Sequence, residues 1–150
     1  MAVLVAPAVV LGSCSGARLT SASLAAEPVL APLPGELELA TVTLQPRPSR
    51  IGVPSADGVV ERIVAVDLLP AAAADLVQQL HDSRYRFRRV ELGVGTPVTV
   101  ELRGVAPTEA EVIVTASSNR PVPLYGSPDD VRTPPPDRAT SVVVSVVSRQ

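Results

Sequence analysis

Residues 141–147 read SVVVSVV. Drawn as an extended strand, this segment puts apolar side chains on both faces, which places it inside a sheet rather than at an edge. Val59 to Val66 (VVERIVAV) has the same character, with β-branched residues on either side. Two such strands commit the chain to a sheet covered on both faces, and the remaining segments must supply the cover.

Those segments are short and heavily punctuated by proline, of which there are 16. Glu36 to Leu44 (ELELATVTL) alternates as a strand. Leu37 and Leu39 share one face and Val42 and Leu44 the other, so a bulge is predicted near Ala40-Thr41. Val98–Arg103 and Glu109–Ala116 form the clearest pair, with Val98, Val100 and Leu102 matched by Ala110, Val112 and Val114. Setting Arg103 opposite Glu109 would place Glu101 against Glu111, so the register with Arg103 opposite Glu111 is expected. Tyr85 to Gly93 reads as a strand too, with Arg84, Arg86 and Arg88 on one face and Tyr85 and Phe87 on the other. A second bulge near Arg88-Arg89 would bring Val90 and Leu92 into phase.

Leu69 to Asp82 is the one predicted helix. Pro70 suits a first turn, Asp67 is placed to cap it, and four alanines follow. Leu69, Ala73, Leu76, Val77 and Leu80 make a single apolar stripe that should lie on a sheet. Gln78, Gln79, His81 and Asp82 then face outward. Segments 45–58 and 126–138 read as loops, and 117–125 as a short edge segment interrupted by Pro121 and Pro123. The expected fold is α+β or mostly β: a largely antiparallel sheet or two-layer β-sandwich of about six or seven strands, with one helix over about residues 69–82 covering an open face or edge.

Composition narrows the chemistry. The chain has one histidine (His81) and one cysteine (Cys14), and its 13 cationic residues are all arginine. A zinc site usually draws on several His or Cys, a Ser-His-Asp triad would have to use His81, and Schiff-base or P-loop lysines are excluded. Tyr85, Phe87 and Tyr125 are too few to stack bases, and a net charge of −2 supplies no global field for nucleic acid. A single cysteine forms no internal disulfide. His81, near the helix end, reads as a surface or capping group. Asp129, Asp130 and Asp137 lack the spacing of a calcium loop, and the pairs Glu36/Glu38 and Glu109/Glu111 are ordinary for exposed strand faces. The expectation is therefore no enzyme, no cofactor, no metal site and no nucleic-acid partner.

Arg84, Arg86, Arg88 and Arg89 form the densest charge in the chain. They are the candidate site for an anionic partner, whether a phosphate, a lipid head group or an acidic protein. The alternative is a solvated strand face whose charges discourage edge-to-edge association.

Ala2 to Leu11 is an unbroken apolar run, about half of the ~20 residues needed to span a bilayer and suited to a signal-peptide hydrophobic region. Leu11-Gly12-Ser13-Cys14 follows from it and resembles the lipobox of bacterial lipoproteins. The resemblance implies a signal peptide over residues 1–13, cut before a Cys14 that carries a thioether-linked diacylglycerol. Residues 14–35, with prolines at 28, 32 and 34, would be a tether, part of which could lie down as a first strand through the apolar Val29, Leu30 and Leu33, and 36–150 a single globular domain. The protein is then expected outside the cytoplasm, lipid-anchored to a bacterial membrane. Its expected role is that of a non-enzymatic binding or interaction module at the membrane surface, its partner an envelope protein or lipid. Two alternatives stand beside it: a carrier or sensor of a lipid or other apolar ligand held between sheet and helix, and a cytoplasmic structural module with an uncleaved N-terminus. In the latter the apolar run would be a strand with a buried cysteine, an arrangement that Pro7 opposes.

Overall fold

The computed structural model describes residues 19–47, 50–52, 57–92 and 98–148. The predicted signal segment and Cys14 lie outside them. The first elements among the described residues are a short helix α1 (Ser21–Ala25) and a 3-10 turn (Pro28–Leu30), followed by β1 (Leu37–Leu44) and β2 (Gly58–Val66). The long helix α2 (Pro70–Tyr85) precedes β3 (Arg88–Leu92), β4 (Thr99–Val105) and β5 (Glu111–Ser118). A ribbon of β6 (Val122–Leu124) and β7 (Ser127–Arg132) leads to β8 (Thr140–Ser148).

Six strands make one antiparallel sheet in the order β1-β2-β8-β5-β4-β3, and β6 and β7 pair by themselves. The expected mostly β, α+β architecture therefore holds. The two doubly apolar segments, β2 and β8, lie side by side, and every residue of β2 is buried. On one face Val60, Val64, Val112, Val114, Val142 and Val146 pack beneath α2 and the N-terminal segment. On the other, the β6–β7 ribbon closes over β2, where the Tyr125 backbone N–H donates to the Glu61 carboxylate at 3.3 Å.

The segment expected to be a tether is part of the domain from residue 19 onward. Leu24, Val29, Leu30 and Leu33 are buried in the core. Thr20 caps α1 by accepting from the Ser23 N–H at 3.1 Å, and Pro28 opens the 3-10 turn, where a missing N–H is harmless. Proline spacing rules out long elements here, but two short ones suffice to lay four apolar side chains on the sheet.

Helix α2 runs three residues beyond its expected end, and Leu69 occupies the cap position with no side-chain cap, so Asp67 does not cap it. Its buried face is Pro70, Ala73, Ala74, Val77 and Tyr85, while Leu69 and Leu80 are exposed and Leu76 is only partly covered. The stripe is rotated toward the small residues because alanines let the helix approach the sheet closely.

Arg86 (φ 51°) then turns the chain in the left-handed region, so Tyr85 ends a helix instead of starting a strand. The bulge expected at Arg88-Arg89 does not form: β3 pairs with β4 without interruption, so Val90 and Leu92 stay on the face of Arg88, opposite to α2, and Leu92 is exposed. The β1 bulge falls between Glu38 and Ala40, slightly earlier than expected. In the β4–β5 pair Arg103 faces Ile113, not Glu111. The predicted parity holds, and Glu101 meets Thr115, clear of Glu111. The two-residue offset comes from a wide turn in which the Ala106 N–H donates to Ala110 O and the Glu109 N–H to Ala106 O, each at 2.8 Å. In the segment read as a loop, β7 forms against β6.

Candidate functional site

The arginine cluster sits where α2 hands over to β3, and a glycine fixes that junction. A Cβ on Gly104 of β4 would stand 2.7 Å from the Tyr85 carbonyl oxygen and 2.8 Å from its Cβ, so only glycine lets the last turn of α2 cross this strand. The left-handed Arg86 follows, and the Phe87 N–H donates to Asp82 Oδ1 at 3.0 Å.

This geometry splays the four arginines instead of aligning them on one strand face. Arg84 stays on the helix and pairs with Glu27, its Nε 3.1 Å from Oε2. Arg86 projects from the turn, exposed. Arg88 lies on the sheet face opposite to α2, directly across from Arg103. Arg89 lies on the helix side, paired with Asp75 of α2 and with Glu91. Arg86 and Arg88 are thus the members of the cluster with no carboxylate in ion-pair range among the described residues. A solvent-open cleft of about 520 Å³ runs past Ser83, Arg84, Arg86, Arg103, Val105 and Pro107.

Behind the cleft is a polar network that sequence reading did not single out. The buried Glu27 carboxylate accepts from the Tyr85 hydroxyl at 2.8 Å, from Arg84 Nε, and from Thr108 Oγ1 at 3.2 Å. The Val29 N–H donates to the Tyr85 hydroxyl at 3.2 Å. Burial pushes the Glu27 carboxyl up, but the bonds from Arg84, Tyr85 and Thr108 outweigh it and hold the group below the usual carboxylate range. Burial, followed by the hydrogen bond it donates to Glu27, pushes the Tyr85 phenol up to about 12. Near neutral pH this leaves a carboxylate, a phenol and a guanidinium in fixed states: a clamp between the N-terminal segment, α2 and the β4–β5 turn. His81 contacts Tyr85 with ring centroids 6.1 Å apart, and burial lowers its pKa.

Two more charges are buried in β2. Arg62 reaches the Leu30 carbonyl at 2.9 Å and pairs with Glu36 and Glu38. Glu61, on the opposite face, accepts from Ser145 Oγ at 3.0 Å and from the Tyr125 N–H, with no cation in ion-pair range among the described residues. Burial raises its pKa. The signal for both was visible in VVERIVAV, because a strand apolar on both faces must bury whatever charge interrupts it. Glu27, set among Ser, Ala and Pro, carries no such signal.

Among the described residues no three His, Cys, Asp or Glu side chains gather as a metal set, and no helix is long and apolar enough to cross a membrane. No family model, curated protein or solved structure matches the chain.

Proposed function

We propose that this protein is a non-catalytic, lipid-anchored binding domain of the bacterial envelope, working at the membrane surface on an envelope protein or lipid partner. The observation that carries the reading is the position of Cys14: it follows the lipobox-like Leu11-Gly12-Ser13 and precedes by five residues Leu19, which already packs against the core. Five residues reach at most about 18 Å when fully extended, so a lipid on Cys14 would hold the folded unit close against the bilayer. The diacylglycerol implied by the resemblance supplies two chains, enough for stable anchoring where one would be marginal. The buried charges support a structural use: Glu27, Arg62 and Glu61 each engage backbone or side-chain groups that fix one segment to another.

Mass spectrometry of the protein taken from a membrane fraction tests this. The expected N-terminus is an acylated Cys14, and Cys14→Ala should move the protein to the soluble fraction. A full-length, unmodified N-terminus would overturn the reading.

A further inference from the structure

Antiparallel registers determine which parts of the chain share an end of the sheet. The row Leu44–Val59–Val147–Glu111–Val105 closes one end. The α2–β3 turn joins this row beyond β4, through the contact of Tyr85 with Gly104. With strands ~4.8 Å apart, the end is about 24 Å wide from β1 to β3. The N-terminal segment enters here too. Ser21 Oγ donates to Gln45 Oε1 at 2.7 Å, and the Leu24 Cδ1 lies 3.2 Å from where a Cβ on Gly58 would stand.

The unpaired arginines gather at this end. Arg47 and Arg50 follow β1 at one corner, and Arg86 and Arg88 occupy the other; none has a carboxylate in ion-pair range among the described residues. Of the other described arginines, Arg62, Arg84, Arg89, Arg103 and Arg132 are ion-paired and Arg138 bonds the Gly35 carbonyl, leaving Arg120, at the far end of the sheet, as the exception among the described residues. The carboxylates near the cluster are largely engaged: Glu27 with Arg84, Asp82 with the Phe87 N–H, Asp57 and Glu111 with partners of their own, leaving Glu109. Beside Arg50, Ile51 is fully exposed (relative accessibility 106%), and Val105 is 58% exposed.

We propose that this sheet end is the face with which the domain lies on the bilayer, its four arginines on anionic phospholipid head groups and Ile51 entering the interface. The proposal rests on the lipid anchor at Cys14. An anchor at most about 18 Å of chain from Leu19 leaves this end little room to turn away. Guanidiniums suit phosphodiester groups geometrically and are attracted by an anionic leaflet, within a Debye length of about 8 Å at physiological salt. Buried apolar area and basic charge add in binding to an anionic interface, and Ile51 beside Arg50 offers both.

The chain contains no tryptophan, so one introduced indole reports alone. Ile51→Trp in the full-length protein, reconstituted into phosphatidylcholine–phosphatidylglycerol vesicles, should emit at shorter wavelength and be quenched by brominated acyl chains. Leu69→Trp, at the opposite end, should keep a water-exposed spectrum. Arg86→Glu/Arg88→Glu combined with Ile51→Trp should weaken the quenching in phosphatidylglycerol vesicles and leave it unchanged in pure phosphatidylcholine. Identical spectra for the two reporters, on protein whose Cys14 is acylated by mass, would overturn the proposal and leave the anchor standing. If Cys14 proves unmodified the anchor reading fails by itself. Unacylated Ile51→Trp mixed with phosphatidylglycerol vesicles at low salt then decides the surface: a shift upholds the contact and its absence overturns it.

Discussion

Glu27 and Glu61 are both buried carboxylates, one on each side of the same sheet, and their surroundings drive them in opposite directions. Burial raises both. At Glu27 the bonds from Arg84, Tyr85 and Thr108 reverse the shift, whereas at Glu61 a serine hydroxyl and one backbone N–H do not. The stability Glu27 contributes is present above the ordinary carboxylate pKa and is lost as pH falls through its lowered value. Glu61 works the other way. Its native state holds the proton more tightly, so stability is fullest below the ordinary value of 4.5 and declines as pH rises through the raised one. The helix side is therefore closed by a completed charge network, and the ribbon side by an acid that would be more stable neutral. The two covers of one sheet thus respond to pH in opposite directions.

Several substitutions test that contrast. Arg62→Ala on the helix side strips Glu36 and the Leu30 carbonyl of their buried partner and should cost about 3–5 kcal/mol. Urea unfolding reads this as a lower midpoint, and a loss below ~1 kcal/mol would mean that the network does not secure this face. Leu24→Ala should cost about 2–4 kcal/mol, because the N-terminal segment is core; an effect within ~0.5 kcal/mol would return it to the status of a tether. Tyr85→Phe removes the hydroxyl that joins the Val29 N–H to Glu27 and should cost about 1–2 kcal/mol. In calorimetry its loss should be larger at neutral pH than in acid, where Glu27 takes up its proton. Glu61→Gln removes the charge; its one amide oxygen can still accept from the Tyr125 N–H, while its NH2 donates to Ser145 Oγ, which turns from donor to acceptor. Thermal melts should show little change below pH 4.5 and a relative gain as pH rises above it, with a loss at pH 7 contradicting the comparison. Leu80→Ser, on the exposed side of α2, should alter stability by no more than ~0.5 kcal/mol.

The Leu80 expectation shows where reading the chain alone stops. Leu69 and Leu80 are the larger apolar groups in the helical period, yet the sheet accepts Ala73 and Ala74 because close approach rewards small side chains. The four clustered arginines were visible as a cluster, but not their separation, which depends on a left-handed residue at 86 and a glycine on another strand. Glu61 and Arg62 were legible as charges in a buried strand; their partners, Tyr125 and Ser145 for one and Leu30, Glu36 and Glu38 for the other, are distant in sequence.

Residue order alone determined the six strands of the main sheet, the in–out parity of β4 and β5, the placement of β2 and β8 inside the sheet and the existence of one long helix. These follow from periods of 2 and 3.6 residues, which a local window contains. It did not yield β7 or the phase of β3. Tertiary structure decided which helix face is buried, that residues 19–35 belong to the core, and how Glu27 meets a side chain 57 residues away. It also decided that unpaired arginines from the β1–β2 connection and from the α2–β3 junction share one end of the sheet. Such pairings depend on how antiparallel strands close on one another, and no local period encodes that closure.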